Sequence, residues 1–261
     1  MFAQTKKTTI TDQYFNIDVT NASLSKHIFT RSSAMDKTFK DVNFKYCTFD
    51  SCYFRKCVFD SCDFTGCRFI GTNMRGSSFR GCKFEYATFE KTLVDDDILD
   101  TSCPSHENLR QGFARTLRVN YQQLGDTEAA NKAIKVELQA TEIHLHNAVW
   151  SNISYYRNKY SGWKKFSAFL KWSNFKFFDF IWGNGESWQK LLRAAVVSLV
   201  VIEMADALLL GHSHTLESFQ IFLGAVKPYN YPTLYLASIE FFKLILFGLF
   251  ISIIVKRFSR R

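Results

Sequence analysis

The sequence predicts a mixed β and α fold: a solenoid coiled from five-residue sides, then a helical hairpin, then a membrane domain with two apolar helices. Three observations carry this. Phenylalanine returns every fifth residue through the first third of the chain, apolar residues then recur at helical spacing, and two runs near the C-terminal end are long enough to cross a bilayer.

The ladder is Phe39, Phe44, Phe49, Phe54, Phe59, Phe64, Phe69, Phe79, Phe84 and Phe89, with Met74 in the single gap. An α-helix repeats at 3.6 residues and a strand at 2, so a strict period of five needs a coil with five-residue sides. Two residues before each centre stands a small one: Val42, Cys47, Cys52, Cys57, Cys62, Cys67, Thr72, Ser77, Cys82 and Ala87. With polar residues elsewhere, as in Ser51-Cys52-Tyr53-Phe54-Arg55 and Ser61-Cys62-Asp63-Phe64-Thr65, the pattern closely resembles the pentapeptide-repeat family. The resemblance implies a right-handed quadrilateral β-helix with four pentapeptides to a coil. The register echoes back through Phe29, Leu24 and Val19 and forward to Leu99, which implies a β-helix over residues 1–100, regular over 37–90, of about four coils. At the strand spacing of ~4.8 Å the prism is on the order of 20 Å long.

Six of the seven cysteines occupy the small inward position, and Cys103 lies outside it. Cysteine packs as a small hydrophobe, no CxxC spacing calls for zinc, and no signal-peptide pattern implies an oxidising compartment. A 20-residue coil stacks Cys47 on Cys67 and Cys62 on Cys82, within reach of a disulfide, but free thiols are expected.

Asp95-Asp96-Asp97 and Pro104-Ser105 break the pattern, and Leu109, Phe113, Leu117, Tyr121 and Leu124 then form one helical stripe. Gly125 suits a left-handed helix end and Asp126 an N-cap, after which Ala130, Ile134, Leu138, Leu145 and Val149 continue on a second helix. Residues 105–160 therefore read as a helical hairpin. Tyr121, Gly125, Asp126 and Glu137 match a segment similar to one in membrane-attached pentapeptide-repeat proteins. Two roles fit it: capping the open β-helix end or holding the prism against a partner. His144 and His146 point to different sides of a helix, so a shared metal is not expected there, and His212-Ser213-His214 sits in a polar loop that signals a metal site only weakly.

The net charge of +9 concentrates around residues 157–176 and at Lys256-Arg257-Phe258-Ser259-Arg260-Arg261. That distribution suits an anionic cytoplasmic leaflet and not nucleic acid. Residues 161–188 interleave lysine with aromatics and read as an interfacial helix anchored by Trp163, Trp172 and Trp182.

Residues 189–261 read as a two-span domain, with spans at 191–210 and 233–255. Basic residues precede the first span and follow the second, which places both termini in the cytoplasm. Each span carries a charged pair three residues apart, Glu203 with Asp206 and Glu240 with Lys243. Counted inward at ~1.5 Å per residue, Glu203 and Glu240 lie about 12 Å deep and Lys243 about 16 Å. Either the two helices share a buried ion pair or these groups line an ion path.

The last span, from Ala237 through Gly248 to Arg257, resembles the inner helix of two-span potassium-channel-like domains. The resemblance makes Leu216–Val226 a pore helix and Gly224, Lys227, Tyr229, Asn230 and Tyr231 a filter-like loop, without the TVGYG sequence that supports potassium selectivity. Gly248 would be a gating hinge or a packing glycine. Two spans enclose a pore only in an oligomer, a tetramer by this resemblance. The expected function is an oligomeric channel in a bacterial inner membrane with a cytoplasmic β-helix as sensor. An unselective pore must be held shut, which points to a conditional depolarising effector, as in phage defence. The alternative is a membrane-anchored scaffold whose β-helix displays a protein-binding surface. Residues 37–90 carry nine basic against six acidic residues, unlike the pentapeptide proteins that mimic DNA to inhibit topoisomerase. Nothing calls for a cofactor, and no nucleophile–base pair, phosphate loop or metal spacing points to an enzyme.

Overall fold

The computed structural model describes residues 7–209, 217–224 and 232–258, and the chain divides into two compact units, 1–157 and 158–261. In the first, the five-residue period becomes geometry at the corners of a coil. Every fifth residue from Lys26 to Lys91 has a positive φ, between 47° and 71°. Four successive corners of one coil, Gly66, Gly71, Gly76 and Gly81, are glycine. The others are L-residues held left-handed at roughly 1 kcal/mol each. Inter-coil hydrogen bonds oppose that strain: Ser51 N donates to Ile70 O at 2.8 Å and Gly71 N to Glu90 O at 2.9 Å.

The coils stack as parallel ladders on four faces. One face pairs Thr8–Thr11, His27–Thr30, Thr48–Asp50, Arg68–Ile70 and Thr88–Glu90, and the next pairs Val19–Thr20, Thr38–Lys40, Val58–Asp60 and Ser78–Arg80. A third pairs Ser33–Met35 with Tyr53–Arg55 and is extended by single bridges, while the fourth is made of bridges alone, Ser23 to Asn43 to Asp63 to Lys83. The offset of 20 residues stacks seven pairs of Phe rings, with centroids 4.9–5.3 Å apart and planes within 15°, while Phe54 lies between Ala34 and Met74. Across the corners the rings meet edge to face, as Phe49 meets Phe54 at 88°. The solenoid has about four coils, as expected.

The small inward position is also a donor. Cys52 Sγ donates to Phe29 O at 3.3 Å, Cys62 to Phe39 O at 3.2 Å and Cys67 to Phe44 O at 2.9 Å. Thr72 Oγ1 makes the same bond to Phe49 O at 3.1 Å and Ser77 Oγ to Phe54 O at 2.7 Å. Cys, Thr and Ser therefore interchange here because each is small and donates inward. The seven cysteines carry free thiols, and burial pushes that of Cys52 up to about 11 and those of Cys47, Cys57 and Cys67 up as well.

The ladder departs from its expected course at both ends. Thr8 pairs with His27 and Tyr14 bridges Ser33, offsets of 19, so the first coil has one side of four residues, between Phe15 and Val19. Phe15 points inward under Phe29, Phe39 and Phe54, and the Asp18 carboxylate accepts from Thr38 N at 2.8 Å. At the other end Leu99 lies in a short helix, α1 (Ile98–Thr101), and the solenoid stops near Val94. Then come α2 (Glu107–Gln123), α3 (Thr127–Trp150) and α4 (Ser154–Lys159). The hairpin turn is as read: Gly125 has φ +73° and Asp126 caps α3 by accepting from Ala129 N at 3.0 Å. Leu124, at the end of the stripe, is exposed.

The second unit holds α5 (Trp163–Trp182), α6 (Trp188–Leu209), α7 (Glu217–Leu223) and α8 (Thr233–Phe258), with a turn at Gly183–Gly185 between α5 and α6. Its core joins Leu246 and Ile253 of α8, with Phe242 and Leu249 beside them, to Leu191 and Ala195 of α6, Ile181 and Trp182 of α5 and Phe222 of α7. The α8 positions alternate by four and three, the seam of paired helices.

Gly66 and Gly71 separate two effects of a corner glycine. A Cβ on Gly71 meets only Ser51 Oγ at 3.8 Å, but one on Gly66 stands 2.6 Å from Tyr46 Cδ1. Gly71→Ala should lose about 1 kcal/mol for the left-handed backbone, and Gly66→Ala about 2. In a Tyr46→Ala background the two should become equal, as urea unfolding would read. The thiols give a pH signature. The folded pKa values of Cys47, Cys52, Cys57 and Cys67 lie above the unfolded value of 9.0, so their contribution is fully present below pH 9 and is lost as pH rises toward 11. The melting temperature should fall between pH 9 and 11, and fall less in Cys52→Ser.

Candidate functional site

Two regions carry groups with chemistry to offer: the hairpin at the end of the β-helix, and the apolar surface of the second unit. The last coil exposes N–H and C=O groups that a further coil would pair. Helix α2 supplies side chains instead. Asn120, fully buried, accepts from Thr92 N at 2.7 Å through Oδ1 and donates to Thr92 O at 2.8 Å through Nδ2. Thr116 Oγ1 takes Phe89 N at 3.0 Å and Gln123 Oε1 takes Lys91 N at 3.1 Å. Phe113 closes the aromatic stack against Phe84 and Phe89. Capping is thus what the hairpin does.

Tyr121, also buried, donates to Asp95 O at 3.2 Å, and burial and nearby carboxylates raise its phenol. Glu137 receives Arg115 at 2.9 Å and Arg118 at 2.8 Å, which clamps α3 to α2. Lys132 holds Asp96 at 3.0 Å and Asp100 at 2.7 Å, while burial and its neighbours Asp95 and Asp96 raise the Asp97 carboxyl. Arg75, Asp95, Asp96, Tyr121, Asp126 and Glu128 line a polar cavity of about 370 Å³ beside this junction. His144 Nδ1 lies 3.2 Å from the Tyr156 hydroxyl.

In the second unit, α5 presents Trp163, Phe166, Leu170, Phe177 and Phe180 to the outside. Successive steps of 100° put these on one stripe, with Lys164, Lys165, Lys171 and Lys176 on the remaining surface. Of the three expected anchors only Trp163, 84% exposed, stands free on the surface. Trp172 is half-buried, and Trp182 packs into the helical core because the turn that follows folds α6 back on it. Lys190 binds both Asp179 oxygens at 2.8 Å, and Arg193 donates to Phe180 O at 2.8 Å, which brace that turn.

Among the described residues one helix, Thr233–Lys256 within α8, is long and apolar enough to cross a membrane, with a mean hydropathy of 2.2. The expected first span does form a helix, α6. Every 18-residue stretch of it, however, contains at least three of Lys190, Arg193, Glu203 and Asp206. Large apolar side chains cover the outside of both helices, among them Leu192, Val196, Val200 and Leu208 on α6 and Leu234, Phe241, Leu244 and Phe247 on α8. Glu186 pairs with Lys256, so the start of α6 lies beside the end of α8 and the two run antiparallel.

Lys243 binds Glu240 of its own helix at 3.3 Å, a contact between residues three apart. Its ammonium borders an otherwise apolar cavity of about 450 Å³ lined by Leu191, Ala195, Phe222 and Leu246. Glu203 is half-buried on α6, and the Asp206 side chain lies outside the described residues. Gly248 is exposed, and a Cβ there meets nothing within 4 Å among the described residues. Gly224 ends α7 with φ +75°. Lys227, Tyr229, Asn230 and Tyr231 lie outside the described residues, as do His212 and His214.

The four-sided solenoid, with its ladder of stacked rings, defines a pentapeptide-repeat β-helix. Residues 37–78 and 59–100 match the pentapeptide-repeat family model, which holds nine copies of the repeat, and the chain therefore carries such repeats in its first hundred residues. Among solved structures, a pentapeptide repeat protein from the thylakoid lumen of Arabidopsis thaliana is 19% identical over 32% of this chain and 72% of its own, with a TM-score of 0.17. QnrB1, a plasmid-mediated fluoroquinolone resistance protein, is 22% identical over 35% of this chain, with a TM-score of 0.13. The match spans 56% of the QnrB1 chain. No curated protein sequence matches.

Asn120 carries the cap most directly. Asn120→Leu removes both partners of a buried peptide group and should lose about 3 kcal/mol in chemical unfolding. Asn120→Asp keeps both bonds only with its carboxyl protonated, so it should lose less at acid pH than at neutral pH, where a buried carboxylate would face the Thr92 carbonyl.

Proposed function

We propose that the chain is a membrane-anchored scaffold in which the helical unit tethers a rigid, capped β-helix that displays a protein-binding surface. The observation that carries this reading is the α8 surface: only 17% of its apolar stretch is buried, and Leu234, Phe241, Leu244 and Phe247 face outward. A helix apolar on all sides and packed along one seam is stable in lipid, not in water. On this reading α6 enters the bilayer beside α8, its polar groups turned to the protein, and α5 rests at the anionic cytoplasmic headgroups on its aromatic stripe. The basic ends of α6 and α8 then lie on one side, with both termini in the cytoplasm of a bacterial cell.

A second reading has a specific observation behind it. The Glu240 side chain is 60% exposed on a helix whose other exposed residues suit lipid. A carboxylate at that depth needs protein or water beside it, which further copies of the chain would supply. Four copies enclosing Glu240 and Lys243 would make the channel that the potassium-channel resemblance suggests, and a conditional depolarising effector if gated.

Two measurements test these readings. The chain should stay with membranes through alkaline carbonate and float with vesicles; release by carbonate would sink the anchor. Reconstituted protein in a planar bilayer should be silent if it is a scaffold, whereas discrete currents altered by Glu240→Gln would establish the channel.

A further inference from the structure

The outward residues of the β-helix are not evenly mixed. On the face that pairs Ser33–Met35 with Tyr53–Arg55, the register sets Met35, Arg55 and Arg75 in one column and Tyr14, Ser33, Tyr53 and Asn73 in the next. Lys56 occupies the adjoining corner, where its Cγ lies over Gly76, 3.3 Å from where a Cβ would stand. A side chain at Gly76 would displace that stem.

Among the described residues, Arg55, Lys56 and Arg75 have no ion pair and no side-chain hydrogen bond. Arg75 shares a polar cavity with Asp95, Asp96, Asp126 and Glu128; of these, Asp95 accepts from Gly76 N at 2.6 Å, Asp96 is held by Lys132 and Asp126 caps α3. Of the other cations on the prism, Lys45 pairs with Asp63 at 3.2 Å and Arg31 with Asp12 at 2.7 Å. Like charges at paired positions of neighbouring strands repel. Stacking Arg55 below Arg75 with Lys56 beside them therefore does nothing for the fold by itself.

From this we infer that the face bearing Tyr14, Met35, Tyr53, Arg55, Lys56 and Arg75 docks an acidic segment of a partner protein. The inference rests on the scaffold reading and gives it a surface and a ligand class. Two arginines one coil apart present forked donors to carboxylates along an extended chain. Tyr53, Tyr14 and Met35, all exposed, flank them with amphipathic area. Tyr, Met and Arg are the residues that protein interfaces enrich, whereas a lipid-facing patch favours Lys and Trp, as on α5. A rigid face also loses little freedom when it binds.

The test uses the full chain in phosphatidylcholine nanodiscs, panned with a phage-displayed library of random peptides. Wild type should enrich peptides with clustered Asp and Glu. A selected peptide should bind at least about tenfold more weakly to R55E/R75E and to R55Q/R75Q, and more weakly at high salt for wild type. R68E/K83E, on other faces, should bind as wild type does. An unchanged melting temperature in R55Q/R75Q keeps folding out of the result. Failure to enrich acidic peptides, or equal binding by the charge-reversed chain, overturns the inference. So does a charge reversal whose only effect is weaker attachment to phosphatidylserine vesicles, which would make the face a lipid contact. Carbonate extraction of the same preparations reads the anchor separately: peptide binding by a chain that leaves the membrane would retain this face and sink the tether.

Discussion

Everything in the first unit hangs on the in-register parallel ladder between coils. It sets the axial repeat near 5 Å, and that one length governs the stacked rings, the thiol bonds to the coil below and the columns of side chains outside. Neither the rings nor the thiols would choose this spacing without the backbone. Strain at the left-handed corners is acceptable because every corner N–H from Lys26 to Gly71 finds a carbonyl one coil on. Polar satisfaction and aromatic packing thus reinforce one another, and the interior holds no alternative arrangement of comparable quality.

A ladder is vulnerable where it stops. The two ends are finished by different means: Phe15 fills the base beneath Phe29, Phe39 and Phe54, and a helix closes the top. The amide of Asn120 reproduces the donor and acceptor of a missing strand at Thr92. The hairpin is held in turn by the Glu137 clamp and the Asp126 cap, so stability at the end of the solenoid depends on contacts made well beyond it.

What was legible in the sequence follows from periodicity. A step of five is so unlike 3.6 or 2 that the Phe ladder specifies the coil, and Gly125-Asp126 specifies the hairpin turn. The four-residue side at Phe15 was hidden because a single deletion leaves no local mark, and Leu99 kept the spacing while the backbone turned helical. Asn120 was invisible for another reason: a lone polar residue on an apolar helix stripe has no motif, and its partner is a backbone group 28 residues away. The cysteines were read as small, but their donor role emerges only when Thr72 and Ser77 are seen making the same bond. In the second unit, hydropathy found the helices, and the spacing of three that puts Glu240 and Lys243 on one helical face is matched by their contact at 3.3 Å.

The four-sided coil also makes direction around the prism a matter of arithmetic. Because 20 residues complete a circuit, inserting a whole coil would lengthen the column carrying Arg55 and Arg75 without turning it, whereas inserting one pentapeptide between them would move them to adjacent faces. The bearing of any surface feature relative to the capping helix is therefore encoded by the number of repeats between them, counted in fours. Length can drift in steps of one coil while orientation is kept. A scaffold of this kind acts as a protractor as well as a ruler.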